Sequence, residues 1–164
     1  MKTTTNRTGT KASAEQQVKG FIAKFDPAQQ KLIRAVRAAL GRHFPTGAEL
    51  AYDNYNFFVL GYGPTERPSD AVVSMACGAN GVGLCFIHGA TLPDPKRILL
   101  GSGTQTRFIR LESAAVLKRP EVVALLERAI ARARTPFPAR GSRTLIVRSV
   151  SAKQRPRRRS PSSA

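Results

Sequence analysis

The chain has 164 residues, 41% of them hydrophobic, enough for one domain with a real core and too many for wholesale disorder. No apolar run approaches the ~20 residues of a membrane-spanning helix, and the opening "MKTTTNRTGTKASAEQ" puts no hydrophobic stretch behind its charges. Neither a membrane partner nor a secretory signal is therefore expected, and the cytoplasm is the expected compartment. Twenty-seven Lys and Arg against ten Asp and Glu give a formal charge of +17, concentrated at the ends. Lys2, Arg7 and Lys11 precede the first helix, and Arg140, Arg143, Arg148, Lys153, Arg155, Arg157, Arg158 and Arg159 crowd the last part with no acid among them. Without these the body carries about +6.

Residues 1–12 read as a disordered tail. Ser13-Ala14-Glu15-Gln16 has the form of a capping box, opening a helix with Val18, Phe21, Ile22 and Phe25 on one side. Asp26-Pro27-Ala28-Gln29 opens a second: aspartate caps, proline suits the first turn and glutamine reaches back. Leu32, Ile33, Val36, Leu40 and Phe44 then recur at helical spacing until Pro45-Thr46-Gly47. Strands are predicted at Ala48 to Asp53 and Asn56 to Tyr62, then on either side of an Asn80-Gly81 turn in "DAVVSMACG" and "GVGLCFIHG", and at Thr106 to Leu111. "RPEVVALLERAIARAR" is a helix whose buried stripe is Val122, Leu125, Leu126, Ala129 and Ile130. Helices at both ends of a strand run predict an α+β two-layer sandwich, an antiparallel sheet of about five strands with the N-terminal and C-terminal helices on one face. The domain is expected over 13–135. Residues 136–150 read as a linker in which "RTLIVRSV" is an added edge strand or a segment that pairs with a partner, and 151–164 as a disordered basic tail.

Gly101-Ser102-Gly103-Thr104 does not make a phosphate loop. A Walker loop needs Gly-Lys-Ser/Thr opening a helix, and the dinucleotide fingerprint needs a third glycine where Thr106 stands. Both need a helix after the loop, whereas Thr106 to Leu111 has the pattern of a strand. The glycines are expected to turn the chain into "TRFIRL".

"HGATLPDPKRILLGSGTQTRFIRL" resembles the YdhG-like domain family, a bacterial group of largely unknown function related in fold to frataxin. The matching positions are Gly89-Ala90-Leu92-Asp94-Pro95, then Leu99-Leu100-Gly101-Gly103, then Arg107, and "RSVSAKQRPRRR" is similar to tails found in the group. The resemblance spans about Glu15 to Arg134 and implies an α+β sandwich. It also implies iron chaperoning as a role, because frataxin-type proteins bind iron through acids on an early helix and strand. This chain departs from that pattern, carrying Lys19, Lys24, Lys31, Arg34 and Arg37 there, whereas a hard cation needs oxygen ligands away from positive charge.

Chemistry-bearing groups are sparse. His43 lies at a helix end, where capping is its expected role. His88 would pair with Asp94 as a base or ligand, or make plain loop hydrogen bonds, the reading adopted. Cys77 and Cys85 are read as reduced core residues; a redox pair depends on the turn length. Cys85 and His88 sit an odd number apart along one strand and face opposite ways. No catalytic set, metal site or cofactor is expected.

"YDNYNFF" mixes aromatic, amide and carboxylate groups as small-ligand pockets do. With an arginine strand nearby it supplies Tyr52, Asn54, Tyr55, His88 and Arg107 as ligand-binding candidates. In the tail, Lys153, Arg155, Arg157, Arg158 and Arg159 would contact nucleic-acid phosphates without sequence preference; no aromatic is interleaved there, so base stacking is not expected. The chain therefore reads first as a non-enzymatic module binding a small molecule or protein, second as a nucleic-acid-associated accessory protein using its tail, and third as a frataxin-like iron chaperone.

Overall fold

The computed structural model describes residues 10–159. Helices α1 (Thr10–Ala23) and α2 (Pro27–His43) are followed by strands β1 (Ala48–Asp53), β2 (Phe58–Gly63), β3 (Val73–Gly78), β4 (Gly81–Phe86) and β5 (Arg107–Arg110), then helix α3 (Pro120–Ala131) and strand β6 (Thr144–Val150). The sheet order is β5-β4-β3-β2-β1-β6. β1 to β5 form an antiparallel meander, and β6 lies parallel to the outer side of β1. The expected α+β sandwich is present, with six strands rather than about five. "RTLIVRSV" is the sixth, an edge strand within this chain.

The helices cover one face, as their apolar stripes require. Val18, Phe21, Ile22 and Phe25 of the first helical segment, Ile33, Val36 and Leu40 of α2, and Val122, Leu125 and Leu126 of α3 are buried against Phe58, Leu60, Met75, Leu84 and Phe86. Gly47 makes the tight entry into β1. Its φ is +85°, and a Cβ there would stand 2.3 Å from the Gly63 carbonyl oxygen.

Local capping is overridden twice. Thr10-Lys11-Ala12 contains no breaker, so α1 runs back past Ser13, and Glu15 pairs with Arg37 of α2 at 2.7 Å. Asp26 precedes α2 without a side-chain capping bond. Gln29 reaches to the Gly78 carbonyl (2.9 Å) instead, and Gln30 donates to the carbonyl of Phe25 (2.8 Å), closing the turn between the helices.

Two carboxylates point into the helix-covered side from β1. Glu49, 2% exposed, accepts two bonds from Arg37 (3.0 Å each) and one from the Tyr62 hydroxyl (2.6 Å). The guanidinium of Arg143 stands 3.8 Å away while donating to the Gly41 and Phe44 carbonyls. Asp53 is fully buried between Lys24 (2.7 Å) and Arg157 (2.8 Å). Residues 151–159, expected as part of a disordered tail, are a docked strap. Ser151 N–H donates to the Asp53 carbonyl, Gln154 bonds that same carbonyl (2.8 Å) and Lys24 (3.0 Å), and Arg157 also donates to the Asn54 carbonyl (2.6 Å). Arg157 is only 4% exposed, and its Nε has no partner among the described residues. The segment orders because a fully buried carboxylate needs a second cation, and the chain after β6 supplies it. The expected tails over 1–9 and 160–164 lie outside the described residues.

The charge clusters fix an acid response. Burial would raise the Asp53 carboxyl, but the bonds from Lys24, Arg157 and Gln154 outweigh it and hold it below its ordinary range. The Arg37 hydrogen bond does the same for Glu15. Both carboxyls are thus lower in the folded chain than in the unfolded one, so their contribution is complete above the unfolded values near ~4 and is lost as pH falls through the folded ones. The urea midpoint should stay level around neutrality and fall below about pH 4. Arg157→Met should lower neutral stability by about 3 kcal/mol, since it strips one cation from a buried carboxylate, and should make the acid limb shallower. A midpoint unchanged by Arg157→Met would show that the strap does not stabilise the domain.

Candidate functional site

Side chains alternate across each strand, so the register that turns Glu49, Ala51 and Asp53 to the helices turns Tyr52, Val59, Ser74, Ala76, Gly83, Cys85, Phe108 and Arg110 to the opposite face. On that face the 68–71 turn folds over part of β2, and Gln29 and Leu32 of α2 reach its edge at the β3–β4 turn. Its middle is built from small residues: Ala76 pairs with Gly83, and Gly78 with Gly81. Taller side chains stand to either side. The Phe57 ring lies over Gly78, where a Cβ would come within 3.1 Å of it. Phe108 stands on β5, paired with Cys85. The result is a groove of about 990 Å³ that runs from Cys85 and Phe108 past the β3–β4 turn to the strap. Ala76 and Gly83 form its floor, and Arg110, Arg155, Arg158 and Arg159 stand along it with one acid, Glu112.

Two of the aromatics in this region, Tyr55 and Phe108, carry arginines. Tyr55 is 50% and Phe57 48% exposed. The Arg155 guanidinium lies 5.7 Å from the centre of the Tyr55 ring, and that of Arg110 lies 5.8 Å from Phe108. The Arg155 N–H donates to the Tyr55 carbonyl (2.8 Å), so the strap is fastened where the guanidinium meets the ring.

The five ligand-binding candidates do not form one site. Tyr52, Asn54 and Tyr55 lie at the end of β1 next to β6, where the Ser149 hydroxyl donates to Asn54 Oδ1 (2.7 Å). Burial raises the Tyr52 phenol, against the opposing charge of Arg148. His88 and Arg107 lie at the other end of the sheet, beyond β4 and at the start of β5. His88 Nδ1 is 3.4 Å from Gln105 Nε2, and Arg107 donates to the Gly103 and Thr106 carbonyls. Both residues fasten the 101–106 loop. The meander runs β2-β3-β4 between these two groups, so nearness in the proposed strand order did not become nearness in space.

That loop is a turn, as its sequence indicates. Gly101 has φ +111°, Leu100 and Phe108 exchange backbone bonds across it (2.8 and 3.0 Å), and β5 follows. Asp94 accepts from the N–H groups of Ile98 and Leu99 (3.1 and 2.9 Å), which is the loop bonding expected over a His88 pair.

Of the tail residues, Arg157 is buried in its ion pair and faces no solvent ligand. Arg158 stands 3.9 Å from Asp26, while Lys153, Arg155 and Arg159 are exposed. The β3–β4 loop is Ala79-Asn80, one position earlier than the expected Asn80-Gly81, and it pairs Cys77 with Val82 and Cys85 with Ser74. Cys77 points into the core and Cys85 into the groove, so the two thiols cannot bond across the sheet. Burial pushes both thiols up, Cys77 much further. The sequence reading missed Phe57, Phe108 and Arg110 as one surface. The available signal was the run of glycines and alanines at alternate positions of "SMACGANGVGLC", which leaves one face of a hairpin bare.

No family model matches the chain, and no curated protein or solved structure matches it. The site is therefore argued from its geometry. At neutral pH an alkylating reagent should modify Cys85 slowly, because its thiol is largely protonated, and should leave Cys77 untouched until urea unfolds the chain. Peptide mass spectrometry reads both, and early labelling of Cys77 would contradict this burial.

Proposed function

We propose that the chain is a non-enzymatic binding module of the YdhG-like kind, and that the groove on the open sheet face takes a ligand with a flat or apolar body and an anionic group. The observation that carries this reading is the union of a small-residue floor, the exposed Phe57 ring, the partly exposed Phe108 ring and arginines along one groove, closed at one end by Gln29 and Leu32 of α2. Such sites combine apolar lining with a few polar groups that orient the ligand. The resemblance in "HGATLPDPKRILLGSGTQTRFIRL" belongs with this reading, since the sandwich it implies leaves one sheet face uncovered.

Binding without catalysis is supported by where the reactive groups lie. His88 serves a loop, Cys77 is sealed in the core, and the Cys85 thiol is raised rather than activated. Iron chaperoning is not part of the proposal. The acids of the early helix and strand, Glu15, Glu49 and Asp53, are each engaged by Lys or Arg, and no group of three His, Cys, Asp or Glu that could hold a metal is found among the described residues. The cytoplasm is the proposed compartment; among the described residues no helix is long and apolar enough to cross a membrane.

Anilinonaphthalene sulfonate, an aromatic anion, tests the groove directly. Its fluorescence should rise on saturable binding to the native chain. Gly83→Leu fills the floor from a strand position whose added Cβ meets nothing closer than 3.5 Å, and it should weaken binding by about tenfold or more, corresponding to ~1.4 kcal/mol. Unsaturable binding, or binding unchanged in a folded Gly83→Leu variant, would refute the groove as the site.

A further inference from the structure

We infer that the ligand of the groove is single-stranded nucleic acid, held by base stacking on Phe57 and Phe108 and by phosphate contacts to Arg110, Arg155 and Arg159. This rests on the groove reading above and names the ligand class. A free arginine-rich tail without aromatics would offer only charge. Docking of the strap changes that, because it sets Arg155 over Tyr55 and brings Arg159 to the same groove as Phe57 and Phe108. Rings and cations now alternate along one surface.

Each feature of the surface matches a part of an unpaired strand. The half-exposed Phe57 ring and the partly exposed Phe108 ring offer π-faces to bases, which stack on them with little sequence preference. The floor at Ala76 and Gly83 has no side chain tall enough to keep a flat ring away from the backbone, and the Phe57 ring bounds it over Gly78. Arg110, Arg155 and Arg159 make no ion pair among the described residues, so their charge is available to phosphates, whereas Arg157 is consumed by Asp53. Glu112 is the one acid along the groove. The formal charge of +17 draws a polyanion from a distance. A duplex fits poorly, because its bases are stacked on one another and present only their edges. An acidic peptide would satisfy the arginines and leave the rings uncovered.

The test is fluorescence anisotropy of a labelled oligothymidine of about 12 nucleotides with the full chain near ~0.15 M salt. A duplex of the same length and unlabelled polyglutamate serve as competitors. Oligothymidine should bind at least tenfold more tightly than the duplex, and polyglutamate should compete weakly. Phe108→Ala and Phe57→Ala should each weaken binding by about tenfold with the salt slope kept, because they remove stacking. Arg110→Gln should lower the salt slope by about one. Gly83→Leu, which leaves the core-facing side chains intact, should abolish binding and keeps the test decisive if a phenylalanine variant fails to fold by circular dichroism.

Equal binding of duplex and single strand, equal competition by polyglutamate, or folded phenylalanine variants that bind like the parent would overturn the inference and reduce the contact to charge alone. If anilinonaphthalene sulfonate binds and is lost in Gly83→Leu while oligothymidine does not bind, the groove stands and nucleic acid is not its ligand. If neither probe binds, both readings fall.

Discussion

Asp53 and Glu49 stand four residues apart on β1, pointing the same way, into the side of the sheet that the helices cover. Burying a carboxylate there costs several kcal/mol unless cations and donors surround it. Every element that meets β1 answers this demand. The turn after α1 supplies Lys24 and α2 supplies Arg37; β2 supplies the Tyr62 hydroxyl, the lead-in to β6 supplies Arg143, and the strap supplies Arg157. Burial and the nearby Glu49 charge push the Tyr62 phenol well up, which favours the protonated hydroxyl that donates to Glu49. Arg37, gripped by two carboxylates that outweigh its own desolvation, remains a cation.

This arrangement sorts the basic residues into two populations. Lys24, Arg37, Arg143 and Arg157 are spent on the interior acids and on helix-end carbonyls, and their contribution is to hold β6 and the strap against the meander. The others stay at the surface. Because the strap must pass the end of β1 to deliver Arg157, it lays Arg155 and Arg159 beside the aromatics of the opposite face. One buried ion pair therefore places the strap's arginines along the groove, beside Arg110 of β5.

The sheet supplies the other half of the site. A sheet with helices on one face leaves the second face to be polar, covered or used. Here the 64–71 loop folds back over part of β2, bringing Ala71 to within 2.9 Å of where a Gly63 Cβ would be. The groove beside it is lined with small residues and rings, and Glu112 is its one acid.

Much of this was legible from residue order alone. The 3.6-residue recurrence of Val18, Phe21, Ile22 and Phe25, and of Val122, Leu125, Leu126 and Ala129, identified the packed helices; alternation identified β1 to β5; the glycines before "TRFIRL" identified a turn and not a phosphate loop. These are local properties, set by backbone sterics and by the period at which apolar residues must recur to share a face. The fate of the basic C-terminal segment was not local. "SAKQRPRRR" has the composition of a disordered tail, and nothing within it reveals that Asp53, more than a hundred residues earlier, is a buried anion that captures Arg157. Nor does local spacing show that His88 and Arg107 end up across the sheet from Tyr52, or that Phe57 and Phe108 share a groove with Arg155. Those placements depend on strand order, on register and on which face the helices take. The sequence by itself determined helices α1 to α3 and strands β1 to β5. Only the tertiary structure decided which charges meet, because Coulomb and desolvation terms are set by distances in space that chain separation does not encode.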